Sequence, residues 1–558
     1  MPKKQDGEPH DWVTRAADDA VRHAQETAPG VERVITCASG ASPSGPIHLG
    51  NLREFITPHF VAEEIRRRGL AVRHLHSWDD FDRFRKVPAG VDPSWADHIG
   101  RPLSDVPDPW ECHASWAEHY KAPLREALAE LGIEMEEVSQ TERYRAGAYT
   151  DLVLHAIRHR DEIEQVLGRH RTKKAAADPE ADPEPTEEDD DVTSGTGELA
   201  RFPYKPYCRQ CGRDTVALTS YDDDTTDLGY TCSSCGFTGV TNVATQHEGK
   251  LVWKVDWPMR WSVEGVDFEP GGLDHSTPGS SYTVGKELVS EVFGFRAPSY
   301  VAYAFVGFAG VQKMSSSSGG VPTASDALRI LESPMVRWLY VRRAPKQAFN
   351  IDFGAEVVRL YDEWDALGRK AADPEKRDAQ VLAYERAVST STAGRLPTPA
   401  RIESFRQLSS VADITNGDPA QISRIVGVSV EDLEPRLSKA TSWIRDFVPE
   451  ADRTTVRTRP DHERLARLNE DEELWLAQLL DRMPDELELE PITTLIYGVP
   501  KLGRGLGLDD PPTDEVKADQ KAFFKLLYNL LVDADRGPRL PTLFLALGAD
   551  RVRALLSP

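Results

Sequence analysis

Two stretches of the chain carry the residue types that phosphate chemistry uses. Residues 40–54 read Gly-Ala-Ser-Pro-Ser-Gly-Pro-Ile-His-Leu-Gly-Asn-Leu-Arg-Glu. Small residues after a strand let a phosphate-bearing ligand approach the backbone, and a following helix aims free N–H groups and partial positive charge at it. His48 and Asn51, three apart at the helix start, can face one ligand, and Gly50 leaves room for an adenine or ribose. Alone, the same loop reads as a tight turn. The second stretch is Val311-Gln312-Lys313-Met314-Ser315-Ser316-Ser317-Ser318-Gly319-Gly320. Serine and glycine supply mobility and hydroxyl donors, and Lys313 supplies a point charge. That suits a loop closing on a triphosphate as charge builds on the transferring phosphoryl group. Alone, it reads equally as a flexible linker.

The cysteines suggest a metal. Cys208-Arg209-Gln210-Cys211-Gly212 and Cys232-Ser233-Ser234-Cys235-Gly236 are two Cys-x-x-Cys-Gly knuckles with 20 residues between Cys211 and Cys232. Thiolates at this spacing wrap a tetrahedral zinc, and each glycine lets the backbone turn its N–H groups toward sulfur. Four thiolates leave no open position, so the zinc would be structural. Disulfides are the alternative, disfavoured in a reducing cytoplasm. Cys37 and Cys112 stand alone and are expected to be small core residues.

Elements must position these groups. Glu32–Ile35, running into Thr-Cys-Ala-Ser-Gly, reads as a first strand ending in the glycine loop. A helix follows from about Leu49, helical through Glu54–Arg68, and then a second strand at about Ala71–His76. This βαβ opening predicts an α/β fold: a doubly wound, Rossmann-like parallel sheet with its ligand crevice at the carboxyl ends of the strands. A Trp-rich helical stretch (Trp110, Trp116, Tyr120) and Tyr149–Leu167 precede an acidic low-complexity run at 173–199 that can bury nothing. Strand-like sequence resumes at Leu251–Val255 and Tyr300–Val306, so a long insertion splits the sheet. Beyond about 345 the chain is mostly helical. In Lys521–Asp533, Phe523, Leu527, Leu530 and Leu531 recur at helical spacing.

At 558 residues the chain should form three or more domains. No apolar run approaches the roughly 20 residues that cross a bilayer. The opening Met1-Pro2-Lys3-Lys4-Gln5-Asp6 has no signal-peptide character, so a soluble, cytoplasmic protein without a membrane partner is expected. A net charge of −24 argues superficially against a nucleic-acid partner. Acid spread along the whole chain, with Arg far above Lys, also fits adaptation to high salt. There the Debye length is about 3 Å and local contacts decide binding.

Both phosphate stretches together, in this order, resemble the class I aminoacyl-tRNA synthetases. That family carries a His-Ile-Gly-His signature after the first strand and a Lys-Met-Ser-Lys-Ser loop after the last. Here His48-Leu49-Gly50-Asn51 and Lys313-Met314-Ser315-Ser316-Ser317 stand in those places, with Asn51 for the second histidine and Ser316 for the second lysine. Further stretches resemble the archaeal-type class I lysyl-tRNA synthetases: Asp79-Asp80-Phe81-Asp82-Arg83-Phe84-Arg85-Lys86-Val87-Pro88, Trp253-Lys254-Val255-Asp256-Trp257-Pro258-Met259-Arg260-Trp261, Gly271-Gly272-Leu273-Asp274-His275, and the closing Gly537-Pro538-Arg539-Leu540 with Leu547-Gly548. The resemblance covers nearly the whole chain except the acidic run.

It implies lysine, ATP with Mg²⁺ and tRNA(Lys) as substrates; the sequence leaves the oligomeric state open, with a monomer favoured. The ATP site falls on Pro43, Ser44, Gly45, His48, Gly50, Asn51, Lys313 and Met314, with His48, Asn51, Lys313, Ser315 and Ser316 in the chemistry. Glu54 and Tyr303 would meet the side-chain ammonium, since a buried ammonium needs a carboxylate or several acceptors. Glu54 is otherwise a solvated helix residue paired with an arginine. Gly40, Ser42 and His275 would complete the lysine site, with Asp274 holding the His275 ring. Trp253 and Trp257, four apart on a strand-like stretch, are the wall for the lysyl stem or simply core. Asp79 and Asp80 orient substrate or cap a helix. The resemblance divides the chain into catalytic halves at 1–95 and 251–320, an insertion at 96–250 with the ribbon at 204–240, a stem-contact helical region at 321–395 and an anticodon-binding helical domain at 396–558. The alternatives are an arginyl, glutamyl or cysteinyl class I synthetase, a non-catalytic zinc-ribbon nucleic-acid-binding protein, and a nucleotidyltransferase that does not act on tRNA.

Overall fold

In the computed structural model, which describes residues 11–88, 90–174, 194–195, 197–308 and 321–557, five parallel strands organise the first part of the chain. Their order in space is Ser299–Tyr303, Val266–Gly272, Ile35–Ala41, Val72–Trp78, Glu136–Ser139, every neighbouring pair parallel. The first strand in sequence therefore lies in the middle. The chain builds outward from it on one side and later returns to build on the other. This reversal leaves a crevice outside the carboxyl ends of Ile35–Ala41 and Val266–Gly272, where open α/β sheets bind ligands.

The central strand is buried on both faces. On one, helices Trp12–Thr27 and Leu52–Arg67 pack Ala16, Ala17, Ala20, Val61 and Ile65 against Cys37 and Phe268. On the other, Trp257 and Trp261 meet Ala38 and Val266. Cys37 and Ala38 are neighbours that serve opposite faces, as strand periodicity requires. Cys37 is the small core residue expected. The first helix has no counterpart in the sequence expectations. Asp11 caps it through the Thr14 N–H at 2.8 Å, and its alanine face lets it lie close to the sheet. Helix Leu52–Arg67 begins later than Leu49, because the Leu49 N–H is taken by the Pro322 carbonyl at 2.9 Å and His48 bridges Thr323.

The run Leu251–Val255 corrects one expectation. A short strand stops at Leu251, and Trp253–Glu264 is a helix. Tryptophan, valine and a mid-run proline favour strand or break locally. Burial of one face overrides them: Trp253, Trp257 and Trp261 recur every fourth residue, Trp253 stacking on Trp257 with centroids 5.4 Å apart. Gly265, at φ 59°, takes the left-handed conformation that ends the helix.

Between the sheet's halves, helices Thr150–Arg158 and Arg160–Lys174 precede an antiparallel ribbon of Val216–Tyr221, Asp227–Cys232 and Thr238–Asn242. The acidic run at 173–199 falls largely outside the described residues. The ribbon shares one apolar cluster with Val153, Ile157, Val284 and Leu288. A second compact unit comprises Arg329–Glu332, Asp352–Ala366 and Pro397–Pro558. It is helical. Helix Asp514–Val532, capped by Thr513, buries Phe523, Leu527, Leu530 and Leu531, so the amphipathic stretch is its later part. Within this unit Arg436 is buried against Glu332 at 2.7 Å and Asp365 at 2.8 Å. Among the described residues, no helix is long and apolar enough to cross a membrane.

Candidate active site

A cavity of about 220 Å³ opens at the crevice. All seven residues expected around the amino acid line it: Gly40, Ser42, Glu54, Trp253, Trp257, His275 and Tyr303. Of the nucleotide set, Ser44, Gly45 and Asn51 line the same cavity. Pro43, His48 and Gly50 belong to the same loop without lining it. Lys313, Met314, Ser315 and Ser316 lie outside the described residues.

Glu54 sits on the first turn of helix Leu52–Arg67 and is buried, not solvated. One carboxylate oxygen accepts the Gly40 N–H at 3.2 Å and the other accepts the Tyr303 hydroxyl at 2.6 Å. Among the described residues no arginine or lysine pairs with it. Burial pushes its carboxyl up to about 8, the Tyr303 bond opposing and nearby Glu269 adding to the rise. The site therefore holds a buried acid without a cation, facing a wall of tryptophan.

The remaining pocket groups are held from several elements. Asp79, just past the second strand, pairs with Arg260 at 2.7 Å. Burial raises its carboxyl and Arg260 opposes. Arg260 also reaches Asp256 at 3.4 Å. Asp80 takes the capping role, accepting the Thr141 N–H at 2.9 Å and Lys121 Nζ at 2.7 Å. The expected Asp274–His275 ring contact is corrected: Asp274 accepts the His275 backbone N–H at 3.2 Å, and the ring stands edge-on to Trp257 at 5.8 Å.

In the loop before the helix, His48 and Asn51 bind each other reciprocally. The His48 N–H donates to Asn51 Oδ1 at 3.2 Å, and the Asn51 N–H donates to His48 Nδ1 at 3.3 Å. An accepting Nδ1 leaves the ring proton on Nε2. Burial lowers the ring's pKa to about 4, so His48 is a neutral donor at pH 7.

The four paired cysteines converge. A tetrahedron of thiolates about 2.3 Å from zinc has edges of about 3.8 Å. Cys208 and Cys235 are 3.7 Å apart, Cys211 and Cys232 3.6 Å. All four sulfurs lie within 4.8 Å of one another. Gly212 and Gly236, both at φ 73°, let each knuckle fold back so their N–H groups reach the Cys208 and Cys232 carbonyls at 2.7 and 2.9 Å. The donor set and spacing fit a structural zinc.

Comparison with known families decides the class. A family model described as tRNA synthetases class I (K) matches residues 10–393. The chain belongs to this class I synthetase family. The synthetase is 50% identical to a lysine–tRNA ligase of Streptomyces coelicolor, the match covering 99% of each chain. It is 33% identical to the lysine–tRNA ligases of Thermococcus kodakarensis and Pyrococcus horikoshii, covering 97% and 96% of this chain and 98% and 97% of theirs.

The synthetase holds groups that sequence reasoning passed over. Glu269 lines the cavity from the strand Val266–Gly272, with Arg260 near enough to act on its charge; no spacing rule flags a lone acid inside a buried strand. Cys112 is a correction. It is exposed, and its Sγ lies 3.2 Å from Asp108 Oδ2, 3.1 Å from His113 Nδ1 and 3.3 Å from His119 Nδ1. These four donors lie within 4.8 Å of one another and suit a tetrahedral divalent cation. The signal was Asp-x₃-Cys-His-x₅-His, an unfamiliar spacing. Trp116, close by, donates its indole N–H to the Ser44 carbonyl at 3.2 Å, tying this segment to the nucleotide loop.

Proposed function

We propose that this chain activates L-lysine with ATP and transfers the lysyl group to the terminal adenosine of tRNA(Lys). The observation that carries the reading is the cationless Glu54–Tyr303 pair at the end of a tryptophan-lined cavity. A buried carboxylate without a cation is costly, and an ammonium on an apolar stem is the ligand that relieves it. The names of relatives covering almost the whole chain support the same substrates.

Chemistry proceeds in two steps. The lysine carboxylate attacks the ATP α-phosphorus in line, and pyrophosphate leaves. The 2′-hydroxyl of the terminal adenosine then attacks the carbonyl carbon of the lysyl-adenylate and gives up its proton, the acyl–phosphate bond breaks, and AMP leaves. No protein nucleophile is needed; positioning and charge stabilisation suffice. His48, through its neutral Nε2–H, and Asn51 hold the phosphates beside Pro43, Ser44, Gly45 and Gly50. ATP enters with Mg²⁺. Lys313, with Met314, Ser315 and Ser316 of the same signature, supplies positive charge and hydroxyl groups for the triphosphate. Because Ser316 replaces a lysine of the family signature, Lys313 carries more of the charge. Gly40, Ser42 and His275 position the amino acid, with Trp253 and Trp257 against its stem. Cys208, Cys211, Cys232 and Cys235 bind a structural zinc that holds the ribbon, which guides the acceptor end. Residues 321–395 contact the stem and 396–558 read the anticodon. We further propose a cytoplasmic monomer of the archaeal type, adapted to high salt.

The test is ATP–pyrophosphate exchange with each of the twenty amino acids, at high salt with bulk tRNA. Exchange with lysine alone is expected. Exchange with arginine, glutamate or cysteine would overturn the pocket assignment, and exchange with none, in folded protein, would overturn the reading.

A further inference from the structure

Glu269 occupies the middle of a strand whose seven residues are all buried. Its two carboxylate oxygens accept indole N–H groups from Trp257, at 3.1 Å, and from Trp261. These indoles lie one turn apart on helix Trp253–Glu264, so the helix holds the carboxylate in a two-point clamp. The donors are neutral. Among the described residues no arginine or lysine forms an ion pair with Glu269, whereas Asp79 in the same cavity has Arg260. Two donors occupy only half the acceptor capacity of a carboxylate, and Glu269 lines the cavity together with Glu54 and Tyr303. An acid buried in a strand and held by two neutral donors, with Arg260 and His275 near it but no ion pair, beside a second acid that lacks a cation, is a poor device for stability. It is a good one for drawing in a cation.

We propose that Glu269 is a specificity-determining residue that faces the side-chain ammonium of the substrate from the side opposite Glu54, and that Trp261 is the residue that positions it. The inference rests on lysine being the substrate and deepens that reading. Tyr303 ties Glu54 to one wall of the cavity, and the two tryptophans tie Glu269 to another. An amino acid with a cationic end satisfies both acids, whereas a neutral side chain of the same length leaves both unpaired. The discrimination is therefore strong, since unpaired buried polar groups penalise the wrong ligand. Trp261 is itself buried and does not line this cavity, so it reaches the substrate only through the groups it holds, Glu269 and the Trp257 ring 4.9 Å away.

The experiment measures tRNA-dependent aminoacylation by full-length wild type, Glu269→Gln and Trp261→Phe. KM for lysine and competitive inhibition by norleucine, which lacks the side-chain ammonium, are followed together. The expected result for Glu269→Gln is a lysine KM raised about tenfold or more, with norleucine inhibition and KM for ATP unchanged. Trp261→Phe keeps the carboxylate but loosens it, so lysine KM should rise several-fold, again without effect on norleucine. An unchanged lysine KM in Glu269→Gln overturns the inference, and so does equal weakening of lysine and norleucine, which would make Glu269 a shaping residue. If Glu269→Gln does not fold, Trp261→Phe decides by the same two criteria. A wild type that charges no lysine would sink the substrate reading itself, an outcome distinct from either.

Discussion

At the residue scale, the proposed contact between Glu54 and the substrate ammonium makes lysine recognition a proton-linked event. Its carboxyl sits at about 8, against an ordinary value of 4.5, mainly through burial. The groups around it are the Tyr303 hydroxyl, the Gly40 N–H, Glu269 and Asp274, with no cation among the causes of the shift. The sign follows from linkage. The folded chain holds this proton more tightly than the unfolded chain, so Glu54 costs no stability below its ordinary range and progressively more as pH climbs toward 8. A substrate ammonium reverses the balance by favouring the carboxylate. Lysine binding near pH 7 should therefore expel about one proton. Calorimetric titration in two buffers of different ionisation enthalpy measures it. Glu54→Gln should release none, bind lysine about tenfold or more weakly and lose less stability than wild type between pH 6 and 8. Wild-type binding without proton release would show that Glu54 is already ionised and refute the account. Glu54 and Tyr303 were legible as neighbours because the family resemblance pairs them, and they meet in a 2.6 Å hydrogen bond. Their state, a protonated acid bonded to a phenol, depends on burial, which spacing does not reveal.

At the element scale, legibility followed the length of the pattern. The βαβ opening and the two cysteine knuckles are periodic or tightly spaced, and they fold as their spacing dictates. Helix Trp253–Glu264 was missed because its residue types favour strand, although Trp253, Trp257 and Trp261 keep helical spacing. The capped helix Trp12–Thr27 was missed because alanines at positions 16, 17, 20 and 24 give a weak apolar stripe. The ribbon gives the element-scale prediction. Its strands are short, and its apolar residues, among them Val216, Leu228 and Tyr230, belong to the cluster that also buries Val153, Ile157 and Leu288. Losing the metal should therefore unsettle more than the ribbon, since metal binding and folding are coupled. Cys211→Ser should carry one zinc fewer per chain by elemental analysis and melt at lower temperature, with aminoacylation falling more than tenfold. Unchanged metal content would remove the four-cysteine site. A lost zinc with full activity would confine it to a local role. Elemental analysis also reads the Asp108–Cys112–His113–His119 group, because a second cation there survives in Cys211→Ser.

At the scale of the whole molecule, the charge has to be reconciled with a polyanionic substrate. The chain has 91 acidic against 67 basic residues, so even complete pairing leaves a charge of −24. Two effects of salt then compete. Exposed ion pairs such as Arg145–Asp105 and Arg160–Asp223 weaken as salt rises, yet each is worth only about 0–1 kcal/mol. The excess negative charge repels itself over the whole surface, and screening removes that repulsion as the Debye length shortens from about 10 Å at 0.1 M to about 3 Å at 1 M. The long-range term should win because every unpaired carboxylate contributes to it, while each local pair gains and loses alone. The thermal midpoint should rise by several degrees between about 0.1 M and about 1 M KCl. Over the same range the KM for tRNA should rise less steeply than for a basic synthetase, since relief of repulsion offsets the loss of phosphate contacts. Melting curves and aminoacylation at matched salt concentrations test both. A midpoint that is flat or falls with salt, with tRNA binding lost as steeply as in a basic protein, would mean that the acid is neutralised locally and that the salt-adapted reading is wrong.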